Sequence, residues 1–360
     1  MAADDHPHAW AARAIRLLRD EARQHGPTPL HTLRLPGVPG IDFHLKDESS
    51  HPTGSLKHRL VRALFTYALA GGAIQDSTPV LVATGGPVAV AAAHFARLLD
   101  LPLTAVVPPR TPTTALDRIT AAGGHWQYAE QPPAALQEET RALAEATGGH
   151  FLDHFTDAAP AVAGCGEPTL ADELFVQLRT TAHPVPAWLV TGAATGATSA
   201  TLGRHLHRHG HPTRLAVADP ENSAYHPSWT TGYSGYATGM PSRIPGIGRP
   251  RVEPGFLPTA VDLVVPVPDP ASVAALHWLH AAGFPAGPST GTAFWAACHL
   301  AARMREQGLR GSITLVMGDG AGPYRATYLD PAWLTARDLE PGPHRTTLDR
   351  FAATGDWPGA

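Results

Sequence analysis

Short apolar runs alternate with helix-period segments along most of this 360-residue chain. From residue 41 onward the runs IDFHLK, PVLVAT, LTAVV and HWQYAE are followed in turn by helical patterns that begin at Ser55 and cover 88–99, 113–122 and 133–147. A Gly- and Pro-rich stretch interrupts the pattern, which resumes with AWLVTG, RLAVAD, VDLVVPV and SITLVM and helices over 197–209, 270–282 and 290–306. This alternation predicts an α/β protein whose parallel sheets carry helices on their faces.

The length predicts two domains, because a single core rarely grows beyond about 250 to 300 residues. We expect a smaller N-terminal α/β domain over 48–155 and a larger α/β domain formed by 1–47 together with 156–335. Residues 336–360 would be a C-terminal extension, and a lead-in helix is expected over 9–24. Residues 220–258 have no sustained period and predict a functional loop region.

Composition excludes several classes of protein. The net charge of −4 argues against nucleic acid as a partner, and no apolar stretch reaches the roughly 20 residues that a membrane helix needs. The acidic first residues lack the pattern of a secretory signal. Two cysteines 133 positions apart suggest neither a disulfide framework nor a cysteine metal cage. We therefore expect a cytoplasmic protein.

Lysine is rare in this chain, since 25 of its 27 basic residues are arginine. A solvent-facing lysine can be replaced by arginine, but a nucleophilic amine cannot, because a guanidinium stays protonated and forms no imine. Lys46 and Lys57 are therefore candidates for chemistry. Lys57 lies in HPTGSLKHR, at a turn that enters a helix, whereas Lys46 has the adjacent Asp47 and Glu48 and is typical of a surface ion pair.

A second candidate element, GAATGATSATLG at 192–203, lies between a predicted strand and a predicted helix. Backbone N–H groups at such a position bind phosphate, although a simple tight turn would have the same pattern. The glycine spacing does not match GxGxxG, which weakens a dinucleotide interpretation.

Two further patterns are weaker. The GPSTG of 287–291 matches a serine-hydrolase elbow only formally, because no strand precedes it. Its Ser289 caps the following helix or directs a hydroxyl at a ligand. His205, His207, His209 and His211 are spaced by two, which scatters them around a helix, so we predict no metal site.

Taken together, KDESSHPTGSLKHR, GAATGATSATLG and GPSTGT resemble the fold type II pyridoxal phosphate enzymes, the cysteine synthase and cystathionine β-synthase superfamily. The motifs DESSHPTGSLKHRL, VADPENS, SRIPGIGRPRVEP and STGTAFW are most similar to the actinobacterial cysteine desulfhydrase branch. The likeness covers about residues 30 to 335. It implies a two-domain, tryptophan synthase β-like fold with the cofactor in the interdomain cleft, and a homodimer.

The resemblance also implies roles for individual residues. Lys57 would form the Schiff base with pyridoxal 5′-phosphate and later transfer protons. Ser289 would hydrogen-bond a pyridine nitrogen that stays unprotonated. The cofactor phosphate would lie on Ala194, Thr195, Gly196, Ala197 and Thr198.

The loop that holds the substrate carboxylate in this family departs from the family pattern. The chain reads Thr84, Gly85, Gly86, Pro87, Val88, Ala89 where the family has Thr-Ser-Gly-Asn-Thr-Gly. Pro87 removes a backbone N–H. The substrate would be held by the remaining loop groups, Thr84 to Val88, or elsewhere, with Gly246, Arg249 and Arg251 as candidates. An ion pair with Glu253 is the alternative role for those arginines.

We expect an enzyme that removes the β-substituent of cysteine or a related amino acid through an aminoacrylate and gives pyruvate, ammonia and sulfide. The altered loop leaves open a β-replacement synthase of secondary metabolism. A cofactor-binding protein without turnover is a third hypothesis, against which the retained Lys57 argues.

Overall fold

The computed structural model describes residues 6–164, 166 and 168–358, and its chain divides into two compact units. Unit 1 comprises residues 1–27 and 51–167, and unit 2 comprises residues 28–50 and 168–360. Among the described residues, no helix is both long enough and apolar enough to cross a membrane.

Unit 1 is built on a four-stranded parallel sheet in the order β5-β4-β3-β6. Its strands are β3 (Val80–Ala83), β4 (Leu103–Val107), β5 (His125–Tyr128) and β6 (His150–Phe151). Its helices are α1 (His6–His25), α2 (Lys57–Ala70), α3 (Pro87–Leu98), α4 (Thr113–Ala121), α5 (Leu136–Ala146) and α6 (Ala158–Gly164). Each strand leads through a short loop into a helix, as the alternation predicts.

Unit 2 contains a six-stranded sheet in the order β1-β2-β10-β7-β8-β9. Its strands are β1 (Leu30–Arg34), β2 (Ile41–Asp47), β7 (Trp188–Gly192), β8 (Arg214–Pro220), β9 (Leu263–Val267) and β10 (Gly311–Met317). Its helices are α7 (Leu170–Leu178), α8 (Ala197–His209), α9 (Tyr225–Thr231), α10 (Asp269–Ala281), α11 (Pro288–Glu306), α12 (Pro331–Thr335) and α13 (Gly342–Thr354). Helix α11 packs on β7, β8, β9 and β10, and its small residues are buried beneath the sheet.

The predicted parallel sheets flanked by helices are confirmed, with one addition. Strand β1, which the sequence pattern does not predict, pairs antiparallel with β2 and forms the edge of the larger sheet. The long segment 220–258 contains only the short helix α9 and an isolated bridge between Ala237 and Arg251.

The units divide at different residues from the predicted domains. Helix α1 lies in unit 1, where Glu21 contacts His58 and Arg62 of α2. Residues 156–167 also belong to unit 1, since α6 packs against α2. The predicted C-terminal extension contains α13, which packs against α10 of unit 2 with Leu348 and Phe351 buried, whereas α12 ends before the extension at Thr335.

Candidate active site

The predicted phosphate loop connects β7 to α8, and its backbone geometry requires glycine at 196. Gly196 precedes the first residue of α8 and has φ +82°, a conformation that L side chains rarely adopt. A Cβ atom at 196 would lie 2.2 Å from the carbonyl carbon of Gly255. The first turn of α8 therefore begins beside closely packed backbone, and its N–H groups, of which that of Ala197 donates to the Thr195 hydroxyl at 3.3 Å, lie at the positive end of the helix dipole.

Tyr225 and the segment around Gly248 support this loop. The buried Tyr225 hydroxyl donates a hydrogen bond to the carbonyl of Ala194, and its ring stacks on Phe256. Burial raises the pKa of Tyr225 well above its usual range, which keeps the hydroxyl protonated as a donor. The backbone N–H of Gly248 donates a hydrogen bond to the carbonyl of Ala193, with an N···O distance of 2.7 Å.

The predicted substrate-binding segment 246–249 therefore lies beside the loop. Nε of Arg249 lies 2.8 Å from Oε1 of Glu253, whose side chain is 1% exposed, and Nε of Arg251 lies 3.5 Å from the same oxygen. Gly246 has φ +85°, so it too needs the left-handed freedom of glycine. The contacts favour the ion-pair alternative for the two arginines, and substrate binding by Gly246 and Arg249 stays a prediction.

Ser289 lies in the first turn of α11, next to a carboxylate that sequence reasoning missed. Its hydroxyl is 3.5 Å from Oδ1 of Asp319, and Tyr324 donates to Oδ2 of the same residue. A Cβ at Gly287 would lie 2.2 Å from Oδ1, so glycine there lets the carboxylate approach. A hydroxyl that donates to Asp319 offers lone pairs to any other partner. That the pyridine nitrogen stays unprotonated remains a prediction. Asp319 bears on it, because this carboxylate competes for the proton of the Ser289 hydroxyl.

Asp219 lies at the carboxyl end of β8 and belongs to the VADPENS motif. Its Oδ2 accepts a hydrogen bond from the N–H of His226 at 2.8 Å, whereas Oδ1 is buried and has no hydrogen-bond partner within the described ranges. Burial raises the pKa of Asp219 to about 6. The residue is a buried acid with neutral partners and not a member of an ion pair.

Lys57 is the first residue of α2 in unit 1 and is half-buried. Gly54, at φ +73°, makes the turn before it, and the hydroxyl of Ser55 accepts the backbone N–H of Lys57 at 3.2 Å. The Lys57 side chain therefore leaves the backbone at the positive end of the α2 dipole. These features match the predicted position at a turn that enters a helix.

The altered loop Thr84 to Val88 joins β3 to α3, also in unit 1. The hydroxyl of Thr84 accepts the N–H of Gly86 at 3.1 Å, and a Cβ at Gly85 would lie 2.6 Å from the Thr111 side chain. Pro87 is the first residue of α3, the position at which a helix least needs an N–H. The start of α3 thus keeps the N–H of Val88 for an anion, in place of the lost asparagine side chain.

Lys46 corrects the prediction of a surface ion pair. The side chain is fully buried, and its Nζ donates to the carbonyl of Thr28 at 2.7 Å, to Gln177 Oε1 at 2.8 Å and to the carboxylate of Glu173. Strand β2 lies between β1 and β10, so Lys46 points into the unit and not into solvent. Its ion pair with Glu173 joins residues 127 positions apart in the sequence.

Three of the four histidines at the end of α8, His205, His209 and His211, lie together, which corrects the prediction that the spacing scatters them. His205 and His209 are four residues apart on one face, and their ring centroids lie 4.4 Å apart. His211 follows the left-handed Gly210 and stacks on Phe175, as His205 does. Nδ1 of His205 lies 3.1 Å from Oδ1 of Asp172, which also forms the capping box of α7.

Comparison with known proteins gives the family. The sequence pattern described as "Pyridoxal-phosphate dependent enzyme" matches residues 22–317, which is most of the chain. The chain belongs to this family. It is therefore a pyridoxal-phosphate dependent enzyme, which confirms the family and the cofactor that the motifs predict.

Individual relatives and structures agree with this assignment. The chain is 43% identical over 354 residues to L-cysteine desulfhydrase Cds1 of Mycobacterium tuberculosis, covering 97% of this chain and 96% of that protein. It is 28% identical to N-(2-amino-2-carboxyethyl)-L-glutamate synthase of Ralstonia nicotianae over 86% of this chain and 89% of that one. The fold matches an O-ureido-L-serine synthase, with a TM-score of 0.74 and 23% identity, over 89% of this chain and 98% of the other. It also matches a hydrogen sulfide-producing enzyme from Fusobacterium nucleatum, with a TM-score of 0.76 and 20% identity, over 89% and 92%.

The described residues fit the cofactor. The closely packed Gly196 opens the start of α8 to a phosphate, because any side chain there would collide with backbone. Lys57 supplies an amine at a helix start, and Ser289 supplies a hydroxyl in the first turn of α11. Lys57 and Thr84 to Val88 belong to unit 1, and the other predicted site residues belong to unit 2.

Proposed function

We propose that this enzyme catalyses α,β-elimination on L-cysteine or a closely related β-substituted alanine. The observation that carries the proposal is the 43% identity to an L-cysteine desulfhydrase over nearly the full length of both chains. The half-buried Lys57 at the start of α2 supports it, since this reaction needs an amine that exchanges a proton.

Pyridoxal 5′-phosphate, when bound, withdraws electrons from the substrate Cα and so makes its proton removable. Lys57 would hold the cofactor through its side-chain amine. When not so engaged, its Nζ would take the proton from the substrate Cα. The helix dipole at the start of α2 favours the neutral amine that this step requires.

The remaining residues bind and orient. Ala194, Thr195, Gly196, Ala197 and Thr198 at the start of α8 hold the cofactor phosphate by backbone N–H groups. Ser289 would position the pyridine ring by donating its hydroxyl proton to the ring nitrogen, in place of the 3.5 Å contact that it makes with Asp319. Thr84, Gly85, Gly86, Pro87 and Val88 hold the substrate carboxylate at the start of α3, where the helix dipole favours an anion.

The net reaction consumes cysteine and water. The bond from Cβ to sulfur breaks with its electron pair on sulfur, which leaves as hydrogen sulfide once protonated. The released 2-aminoacrylate reacts with water to give pyruvate and ammonia.

A β-replacement synthase is the second candidate, and the altered loop favours it. Loss of the family's asparagine and two hydroxyls at 84–89 changes the groups around the substrate, as a specialised second substrate would require. A relative at 28% identity carries the name of such a synthase. In that case a nucleophile other than water would capture the substrate carbon.

Product analysis separates the two. Purified enzyme with its cofactor is incubated with L-cysteine, and sulfide and pyruvate are measured, with O-acetylserine and O-phosphoserine as parallel substrates. Equal amounts of sulfide and pyruvate from cysteine support elimination. Consumption of an amino acid without pyruvate, and with a new amino acid in the mass spectrum, would replace elimination by β-replacement.

The amino-acid substrate is the small-molecule partner in either case. We further propose a homodimer and a cytoplasmic location. Light scattering of the purified protein measures its mass against the 37.9 kDa of one chain. A mass of one chain at working concentrations would overturn the dimer.

A further inference from the structure

Unit 1 contains a buried group of histidines around Glu21 that the proposed elimination does not use. Glu21 lies on α1, His58 on α2 and His94 on α3. Oε1 of Glu21 is 2.9 Å from Nε2 of His58 and 3.5 Å from Nε2 of His94. One ligand atom from each of the three residues lies within 4.8 Å of the others. Three separate helices therefore direct metal-ligating atoms at one point.

The distances suit a metal ion. Zinc binds imidazole nitrogen and carboxylate oxygen at about 2.0 to 2.2 Å, which places neighbouring ligand atoms roughly 3.2 to 3.5 Å apart in a tetrahedral site. The observed 2.9 Å and 3.5 Å from Glu21 lie close to this range. The donor set, two imidazoles and one carboxylate, is one that zinc takes in proteins.

The contacts behind these ligands suit an ion as well. An imidazole that binds metal through Nε2 carries its proton on Nδ1 and needs an acceptor there. Nδ1 of His58 lies 3.3 Å from the hydroxyl of Thr53. The second oxygen of Glu21, Oε2, lies 3.4 Å from Nη1 of Arg62, so Arg62 contacts the carboxylate through a different oxygen from the one that His58 contacts.

His94 supplies the observation that an ion pair alone leaves unexplained. Its Nε2 atom is buried and has no hydrogen-bond partner in the part of the chain that the structure describes. A buried polar atom without a partner is unfavourable, and a bound cation would give it one. His25, whose side chain is 45% exposed, has its Nε2 3.4 Å from the same oxygen of Glu21 and offers a fourth ligand on the solvent side.

We propose that Glu21, His58 and His94 bind one zinc ion. The sequence prediction of no metal site considered only the histidines at the end of α8 and did not bring these three residues together. The ion would join α1, α2 and α3, and because α2 begins at Lys57 it would fix the first turn of the helix that carries the amine. The site is structural and does not depend on which reaction the enzyme catalyses.

The test uses enzyme without an affinity tag, with pyridoxal phosphate bound, stripped of metal by a chelator and titrated with zinc chloride by calorimetry. We expect one tight equivalent and a rise in melting temperature of at least about 5 °C in excess zinc. Cobalt chloride in place of zinc should give the intense visible bands of a tetrahedral ion. The absence of a tight equivalent would overturn the proposal.

Two variants locate the ion. His94→Gln should weaken zinc binding at least about 100-fold, since it removes a ligand. The matched control, His205→Gln with His209→Gln, removes the other histidine cluster, near Asp172 in unit 2, and should keep the tight equivalent. Loss of the tight equivalent in the control, or its retention in His94→Gln, would overturn the assignment.

X-ray absorption at the zinc edge of the wild-type enzyme gives a test that needs no variant to fold. We expect a shell of nitrogen and oxygen ligands at about 2.0 to 2.1 Å with the outer scattering of at least two imidazoles. A shell of oxygen alone would mean that zinc binds elsewhere. These readouts are independent of turnover, so a failed zinc site and a failed elimination are distinguishable.

Discussion

The two lysines of this chain have different surroundings, and these favour different roles for the two amines. In unit 2, Lys46 is fully buried among a carbonyl, an amide oxygen and the carboxylate of Glu173, so its three N–H groups all have acceptors. In unit 1, Lys57 begins a helix, where the dipole disfavours a positive charge. This arginine-rich chain thus has one lysine as a compact cation in a closed space, and we propose that the other serves as an amine that loses its proton.

Of the two lysines, Lys57 should have the larger effect on activity when it is replaced. Lys57→Ala should lower the rate of cysteine turnover about a thousand-fold or more, because the amine that holds the cofactor and moves the proton is gone. Lys57→Arg should fail equally, since a guanidinium forms no imine. Turnover assays check the rates.

Borohydride reduction followed by peptide mass spectrometry checks the attachment. With only two lysines in the sequence, the cofactor mass falls on a peptide containing 57 or on one containing 46. A reduced adduct that survives in Lys57→Ala would contradict the role of this amine.

Replacement of Lys46 should lower the stability of the enzyme without changing its rate of turnover. Lys46→Ala removes one partner of a buried ion pair and leaves the Glu173 carboxylate uncompensated, which costs about 3 to 5 kcal/mol of unfolding free energy. Urea unfolding measures the loss. The rate per folded molecule should match the wild type, and a folded Lys46→Ala enzyme without turnover would contradict the structural role.

A second contrast is between two carboxylates of unit 2. Asp219 is buried and accepts a hydrogen bond from a neutral backbone N–H, whereas Glu173 pairs with Lys46. Its pKa is raised to about 6, so the native state binds the proton more tightly than the unfolded state. Stability from this group is therefore present at low pH and is lost as pH rises toward 6. Between pH 5 and pH 7 the unfolding free energy should fall by about 1 kcal/mol on this account.

Asp219→Asn removes that titration. The difference in unfolding free energy between wild type and Asp219→Asn, measured with urea at pH 5, 6 and 7, should change by the same about 1 kcal/mol in favour of the variant. A difference that is constant across this range would show that the carboxyl group does not titrate there.

Local features were predictable where the pattern itself determines the structure. The start of α8 at Ala197 follows from the glycine before it, and the position of Lys57 at the start of α2 follows from PTGS. The strand and helix alternation gave both parallel sheets. Family membership followed from motifs that combine a lysine with a glycine-rich turn.

Contacts between distant residues were not predictable from the sequence. Glu173, an ion-pair partner of Lys46, lies 127 residues away, so its contact with Lys46 cannot be read from the neighbouring sequence. Asp319 beside Ser289 and Glu21 beside His58 likewise depend on packing between separate elements. The clustering of His205 with His209 was within reach, because a separation of four residues places side chains on one helix face.

The closed surroundings of Lys46 have a practical consequence. Dyes, crosslinkers and sensor surfaces that react with side-chain amines will find Lys46 shielded and Lys57 as the other such group in the sequence. If Lys57 holds the cofactor as proposed, labelling at lysine abolishes activity, and a molecule immobilised through lysine is one whose cofactor-binding amine has reacted.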